Sequence, residues 1–132
     1  MTVQLGTTMR NNRLDQFEST IGTAARLLIY SGAVPANCAA ADPAGLLATL
    51  VLPSDWMNAA GSGQKTLLGS WTVAASGTGT ALSFRMKDSG LTTCHCQGTV
   101  GTSGTDLVLD NTSINSGQTV TITAFTLTDG NA

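Results

Sequence analysis

Three residues that could carry chemistry, Cys94, His95 and Cys96, stand side by side in the segment TTCHCQGTV at positions 92–100. A zinc site needs at least three such ligands converging on one point, commonly with two residues between paired ligands. The alternation of this segment instead predicts a β-strand, on which Cys94 and Cys96 point to one face and His95 to the other. We therefore predict that both thiols pack inward as small apolar groups, that His95 faces outward, and that no metal is bound.

The remaining cysteine, Cys38, lies in a segment of small residues and prolines at positions 33–45. An odd number of cysteines gives no disulfide framework, and a bond from Cys38 to Cys94 or to Cys96 stays open as an alternative. Catalysis by a thiol or a serine would need His95, the only histidine, which the strand places opposite both thiols. No Gly-x-Ser-x-Gly elbow occurs, and the acidic residues are dispersed. These features predict a protein that is not an enzyme, without catalytic residues and without a cofactor.

The element nearest the N-terminus is predicted to be a short helix at about residues 8–21, where apolar residues recur at helical spacing. Thr7 or Thr8 is expected to cap its start, and Gly22 to end it in the left-handed conformation. After Gly22 the apolar period changes to two, which is typical of strands.

Five residues are candidates for contact with a partner. Apolar side chains at positions i, i+3 and i+7 of the helix form a stripe that needs a surface to dock on. A Trp-Met pair in the segment LPSDWM follows a strand that ends at Pro53, and such a Trp serves either as a buried plug or as an interface anchor. The candidate interface residues are Leu14, Phe17, Ile21, Trp56 and Met57, with the loops at 34–45 and 56–64 beside them.

Short alternating segments separated by Gly, Ser, Asn and Asp turns fill the rest of the chain. In SFRMK the apolar side chains point one way, and Ser83, Arg85 and Lys87 point the other. The alternation slips in the last segment, which predicts a β-bulge near Ala124–Phe125. The pattern predicts one domain over residues 1–132, an all-β, antiparallel β-sandwich of the jelly-roll type, with seven or eight strands and one N-terminal α-helix.

The charge balance and the length of the apolar stretches exclude nucleic acid and membranes as expected partners. The net charge is −2, and the six Lys and Arg residues form no run, so no nucleic acid is expected to bind. No stretch approaches the ~18 apolar residues of a membrane span, and the N-terminal segment does not have the pattern of a secretory signal.

Charged residues make up 11% of the chain, against the ~25% of typical domains. A surface of Thr, Ser, Gly and Asn suits stable burial against partners.

The segments LPSDWM at 52–57 and DNTSINSGQTVTITAFTLTDGNA at 110–132 carry most of a resemblance that covers nearly the whole chain. In them the chain resembles a family of small proteins encoded among the virion genes of tailed bacteriophages. The resemblance implies a structural protein of the virion, assembled in the host cytoplasm, and it brings no catalytic residues. Size, composition and fold together lead us to expect a head decoration or cement protein on the capsid surface.

As a cement protein, the chain is expected to bind the major capsid protein, copies of itself as a dimer or trimer, or both, and so to stabilise the head. One alternative is a structural protein associated with the tail, neck or fibre. Another is a carbohydrate-binding module of the virion surface that would use Tyr30, Trp56 and Trp71 as a platform for sugar rings.

Overall fold

A curled β-sheet with an N-terminal helix packed against it forms the body of the chain. The structure is a computed structural model that describes residues 3–131. Met1, Thr2 and Ala132, at the ends of the predicted domain, lie outside the described residues. The elements are α1 Thr7–Ile21, β1 Arg26–Tyr30, β2 Leu46–Val51, β3 Gln64–Thr66, β4 Thr72–Ala74, β5 Gly79–Thr80, β6 Ser83–Lys87, β7 Cys94–Gly101, β8 Leu107–Leu109, β9 Ser113–Ile114 and β10 Thr119–Thr128.

Helix α1 docks by the apolar stripe that the sequence predicts. Leu14 and Ile21 are buried, and Phe17 is partly buried against the core. The predicted threonine cap was wrong, because the N-cap residue is Gly6 and no side chain caps the first turn. Packing against the sheet supplies the stability that a cap would otherwise add. The predicted end is confirmed at Gly22, whose φ of 85° is accessible to glycine without strain.

The main sheet has the strand order β2-β1-β6-β7-β8-β10-β3, with β4 paired to the first part of β10 and a separate pair of β5 with β9. The all-β class with one N-terminal helix is therefore confirmed. The pairing is mixed rather than wholly antiparallel, because β7 and β8 run parallel. Beyond β4, the amides of Ser76 and Gly77 donate to the carbonyl of Leu47 in β2. These bonds bring the far end of the sheet back to its first strand, so the sheet curls around its apolar face.

Two predictions of strand detail had different outcomes. The bulge in the last strand is confirmed to within a residue, since Thr123 is the extra residue between the Ile122 and Ala124 pairings with β8. The predicted loop at 56–64 ends in the first residue of β3, Gln64, and this strand pairs with the end of β10. A strand of three residues is too short to show an alternation in the sequence.

Five aromatic rings join the helix, a loop and the sheet into one core. Phe125 of β10 lies 5.8 Å from both Trp71 and Phe84, measured between ring centroids. Trp56 lies 6.0 Å from Trp71 and 5.9 Å from Phe17 of the helix. The tilted and edge-on orientations are the favourable ones for aromatic pairs. The rings therefore act together with buried Leu14 and Ile21 to attach α1 to the sheet.

The five residues predicted to contact a partner belong to this core. Trp56 and Met57 are 0% and 1% exposed, and Leu14 and Ile21 are 8% and 5% exposed. Phe17 packs against the same cluster. We therefore correct their assignment to a partner interface: the surface they dock on is the chain's own sheet, where they are already removed from water.

Burial also removes the sugar platform considered for a carbohydrate-binding module. Tyr30, Trp56 and Trp71 are 3%, 0% and 1% exposed. A ring that stacks on a sugar must present a face to solvent, and none of these three does so.

Trp56→Ala should lower the free energy of unfolding by about 3–5 kcal/mol, the usual cost of removing a fully buried aromatic side chain. The variant also loses the hydrogen bond from the indole Nε1 to the Gly22 carbonyl at 3.1 Å. Urea denaturation followed by far-UV circular dichroism measures the loss. Leu91→Ala, at a residue that is 45% exposed, is the control and should shift stability by less than ~0.5 kcal/mol. Equal midpoints for the two variants would contradict the core position of Trp56.

Candidate functional site

A β-bulge separates the three reactive residues of TTCHCQGTV. Strand pairing places Cys94 opposite Lys87 and Cys96 opposite Met86, so His95 is an extra residue on β7. An extra residue reverses the alternation of side chains beyond it. Cys96 consequently packs against the core, whereas Cys94 shares the outer face of the sheet with Lys87. The prediction that both thiols point inward was wrong for Cys94, because a bulge inside a short strand leaves no trace in the apolar pattern.

Cys94 is joined to Cys38 in a disulfide, with their Cα atoms 5.3 Å apart. The sequence left two partners open for Cys38, Cys94 and Cys96, and in the structure the partner is Cys94. Cys96 is the free cysteine. Burial, and secondarily the charge of Asp106, raises the pKa of the Cys96 thiol to about 11. Since the thiolate is the nucleophilic form, Cys96 is inert near neutral pH.

His95 lies in a shallow groove of about 270 Å³ beside helix α1, against Thr20 and Ile21. The outward position predicted for it is thus corrected: the bulge turns the imidazole toward the helix. Arg13, Gln16 and Phe17 of the helix line the same groove.

Residues 32–45, which we call the strap, leave the sheet between β1 and β2 and cross its outer face to reach β7. At the base, backbone hydrogen bonds extend the β1–β2 ladder by two residues. At the far end, the disulfide and the Gln97 amide hold the strap, the amide donating to the Pro35 carbonyl at 2.7 Å. No strap residue is buried. Irregular segments of this length inside a small domain are commonly functional.

Beneath the strap lie two buried cations of β6. Arg85 Nη1 donates to Asp42 Oδ1 and to the Ala40 carbonyl, both at 2.9 Å. Arg85 Nη2 donates to the Asn37 carbonyl at 3.1 Å, and Lys87 Nζ donates to Asp42 Oδ2 at 2.8 Å. Hydrogen bonds from Lys87 and then Arg85 hold the pKa of Asp42 below its ordinary value, although partial burial opposes them. The single carboxylate of the strap thus offsets part of the positive charge of the two cations that it covers.

The sequence correctly placed Ser83, Arg85 and Lys87 on one polar face of a strand. That face is nevertheless closed to water, since the three residues are 0%, 2% and 8% exposed. Sequence reasoning missed Asp42 as their partner, because it lies far away in the chain, 45 positions before Lys87.

A further buried cation, Lys65 of β3, lies under helix α1. Its Nζ donates to Asp15 Oδ1 at 2.8 Å and to the Asn58 carbonyl at 2.9 Å. The second carboxylate, Glu18 Oε2, lies 3.2 Å from the same nitrogen. Two hydrogen bonds and one further ion pair thus hold the Lys65 ammonium in place under the helix.

The polar side of the helix also binds the loop at residues 53–63, which we call the helix-bound loop. Side-chain oxygens at positions i, i+4 and i+7 of the helix accept hydrogen bonds from main-chain amides of this loop. The pairs are Asn11 with Gly63, Asp15 with Ala60, and Glu18 with both Trp56 and Met57, at 2.8–3.1 Å.

A cleft of about 630 Å³ lies between the end of the helix and the helix-bound loop. The ionisable residues that line it are Asp15, Glu18, Asp55 and Lys65. Hydrogen bonds from Lys65 and from the Ala60 amide lower the pKa of Asp15, so its carboxyl is charged near neutral pH. Three of the four groups are engaged in the Lys65 cluster, which attaches the loop to the helix.

Among residues 3–131, no group of three or more His, Cys, Asp or Glu side chains is placed to hold a metal ion. No helix in the same range is long and apolar enough to cross a membrane. Comparisons with protein-family models, with curated proteins and with solved structures find no match to this chain. Its role must therefore be argued from its own geometry and sequence.

Lys65→Met keeps the apolar stem but removes the ammonium, leaving Asp15 and Glu18 close together without a counter-ion. We expect a loss of about 2 kcal/mol, below the ~3–5 kcal/mol of a fully buried pair, because the Asp15 side chain is 44% exposed. Urea denaturation measures the change. The double variant Lys65→Met/Asp15→Asn should recover part of it, and strict additivity of the two substitutions would argue against the cluster.

Stability should decrease as the pH falls below about 4. The folded-state pKa values of Asp15 and Asp42 lie below the ordinary value of 3.8. Their contribution is therefore complete above that value and is lost as the pH drops through the lower folded values. Denaturation midpoints measured from about pH 6 to about pH 2 should be less pH-dependent in Asp42→Asn than in the wild type. Asp110→Asn, at an exposed carboxyl outside both clusters, should follow the wild-type curve.

Proposed function

We propose that this chain is a structural protein of a tailed-bacteriophage virion, and that it binds the major capsid protein as a cement or decoration protein. The resemblance in LPSDWM and in the final segment supports the proposal. In the fold these segments supply Trp56 and Met57 of the core, together with β9 and β10. The resemblance is thus concentrated in residues that maintain the fold, and the contacts with a partner must come from the surface.

The observation that carries the proposal is the character of the strap surface. The strap is held at both ends and along its length, so a partner that binds it has no loop to order. Its single charged residue, Asp42, is already paired with Arg85 and Lys87. The rest of its exposed surface is uncharged and mostly alanine, at Ala33, Ala36, Ala39, Ala41 and Ala44. A preorganised surface whose only charged residue is already ion-paired can be buried without desolvating a free ion.

A repeated capsid lattice makes such a surface effective. Each contact can be weak, because copies that bind neighbouring sites on one shell reinforce one another. Contacts between copies, as a dimer or trimer, would add to this effect on a symmetric lattice. The tail, neck or fibre alternative would use the same kind of surface and differs chiefly in the number of copies per particle.

The test uses Ala41→Arg, which places a long charged side chain on the exposed side of the strap. Ser103→Arg, in an exposed turn after β7, is the matched control. Each purified protein is added to heads of the encoding phage that lack this chain, and bound copies are counted by quantitative mass spectrometry. We expect the wild type and Ser103→Arg to bind in proportion to the major capsid protein and to raise the melting temperature of the heads, and Ala41→Arg to do neither.

Three results would contradict parts of the proposal. Failure of the wild-type chain to bind heads would exclude a cement protein, and copies that match the symmetry of the tail would favour the tail alternative. Equal binding of Ala41→Arg and Ser103→Arg would show that the strap is not the contact surface.

A further inference from the structure

The strap is held to the sheet by one covalent bond and by a set of polar contacts. The covalent bond, Cys38–Cys94, lies at the end farthest from the base. Ser83, Arg85, Lys87 and Gln97 of the outer face add hydrogen bonds and ion pairs to the backbone bonds at the base of the strap. Leu28 and Tyr30, which lie opposite Arg85 and Ser83 on the same face, are also buried, at 6% and 3% exposed. No strap residue is itself part of the hydrophobic core cluster, so the strap is held apart from the main core, which is the property of segments that open locally.

We propose that the Cys38–Cys94 bond is a redox latch on the strap. When the bond is present, the strap stays closed over Arg85 and Lys87. When the bond is reduced, the strap swings open on its base at β1 and β2 and exposes both cations, while the sheet and helix remain folded. This inference concerns the isolated chain and does not depend on the proposed function.

Opening is feasible after reduction because the buried cations gain water as they lose the strap. Arg85 and Lys87 are 2% and 8% exposed with the strap closed. Keeping charges out of water carries a desolvation cost that offsets much of the attraction between Asp42 and the two cations. Without the disulfide, the strap must also be ordered at its far end by noncovalent contacts alone, against the conformational entropy of the segment.

The change should remain local because the core lies on the other face of the sheet. Phe84 and Met86, which alternate with Arg85 and Lys87 along β6, are 1% and 0% exposed within the core cluster. No strap residue belongs to the core cluster that contains the aromatic rings. Opening of the strap therefore uncovers polar groups together with Leu28 and Tyr30 of the outer face, and leaves the packing of the inner core in place.

The chemistry requires a small disulfide such as oxidised glutathione as the oxidant. The Cys38 thiolate attacks one sulfur of glutathione disulfide and releases one glutathione thiolate. The Cys94 thiolate then attacks the Cys38 sulfur of the mixed disulfide and releases the second. The two protein thiols lose two electrons and two protons in total, and glutathione disulfide takes them up to become two molecules of glutathione.

Cys96 is not a third member of this exchange. It lies two residues from Cys94, but the bulge at His95 directs it to the inner face of the sheet, while Cys94 faces the strap. Oxidation of the latch therefore forms only the Cys38–Cys94 bond. Cys96→Ser is therefore a control variant that should retain the switch.

The two lysines of the chain allow a direct test. Lys87 lies under the strap, and Lys65 lies under the helix, equally hidden but on the other side of the molecule. The protein is equilibrated in oxidised or in reduced glutathione and treated briefly with an amine-acylating reagent, and modification of each lysine is measured by peptide mass spectrometry. We expect reduction to speed acylation of Lys87 at least tenfold and to leave Lys65 unchanged, with re-oxidation restoring protection. Cys38→Ser should behave as the reduced wild type in both buffers.

Three results would overturn the latch. One is equal protection of Lys87 in the oxidised and reduced protein, which would mean that the polar contacts alone keep the strap closed. Another is a parallel rise at Lys65, which would mean that reduction loosens the whole fold. The third is a Cys38–Cys94 bond that does not form in oxidised glutathione. If Cys38→Ser fails to fold, the comparison of oxidised, reduced and re-oxidised wild-type protein still decides among these outcomes.

Discussion

Lys65, Arg85 and Lys87 lie almost entirely out of water, and a buried cation is stable only where oxygen atoms surround it. The strands that carry these residues use their own main-chain carbonyls in the ladders with their neighbours. The acceptors must therefore come from elsewhere in the chain. Asp42 and the strap carbonyls supply them on the outer face, and helix carboxylates supply them for Lys65. The positions of the strap and of the polar face of the helix follow from this requirement.

The same requirement determines what the surface looks like. Three of the six Lys and Arg residues are buried, so the exterior is still poorer in charge than the composition suggests. Each buried cation is matched by carboxylates that sit at the boundary with solvent. The buried charges thus attach two irregular segments, the strap and the helix-bound loop, to the rest of the fold.

The two sides of the molecule are secured in different ways. On the inner side, aromatic packing of Phe17 and Trp56 acts together with the hydrogen bonds of Glu18 to the helix-bound loop. On the outer side, the strap contributes no buried residue and depends on a disulfide and on ion pairs. The inner attachment therefore belongs to the cooperative core, whereas the outer one is separable from it and is sensitive to the redox state of its surroundings.

The local pattern of residues was enough to predict the helix over 8–21, the alternating strand at 83–87 and the bulge in the last strand. Each of these depends on the spacing of apolar residues within one element, which the sequence records directly. The pairing of Cys38 with Cys94 and the burial of Arg85 were decided by tertiary structure, because the bulge at His95 and the path of the strap join residues that are 43–56 positions apart. The same holds for Trp56: a large apolar side chain is driven from water in either case, and only the folded chain determines that its own core, rather than a partner, receives it.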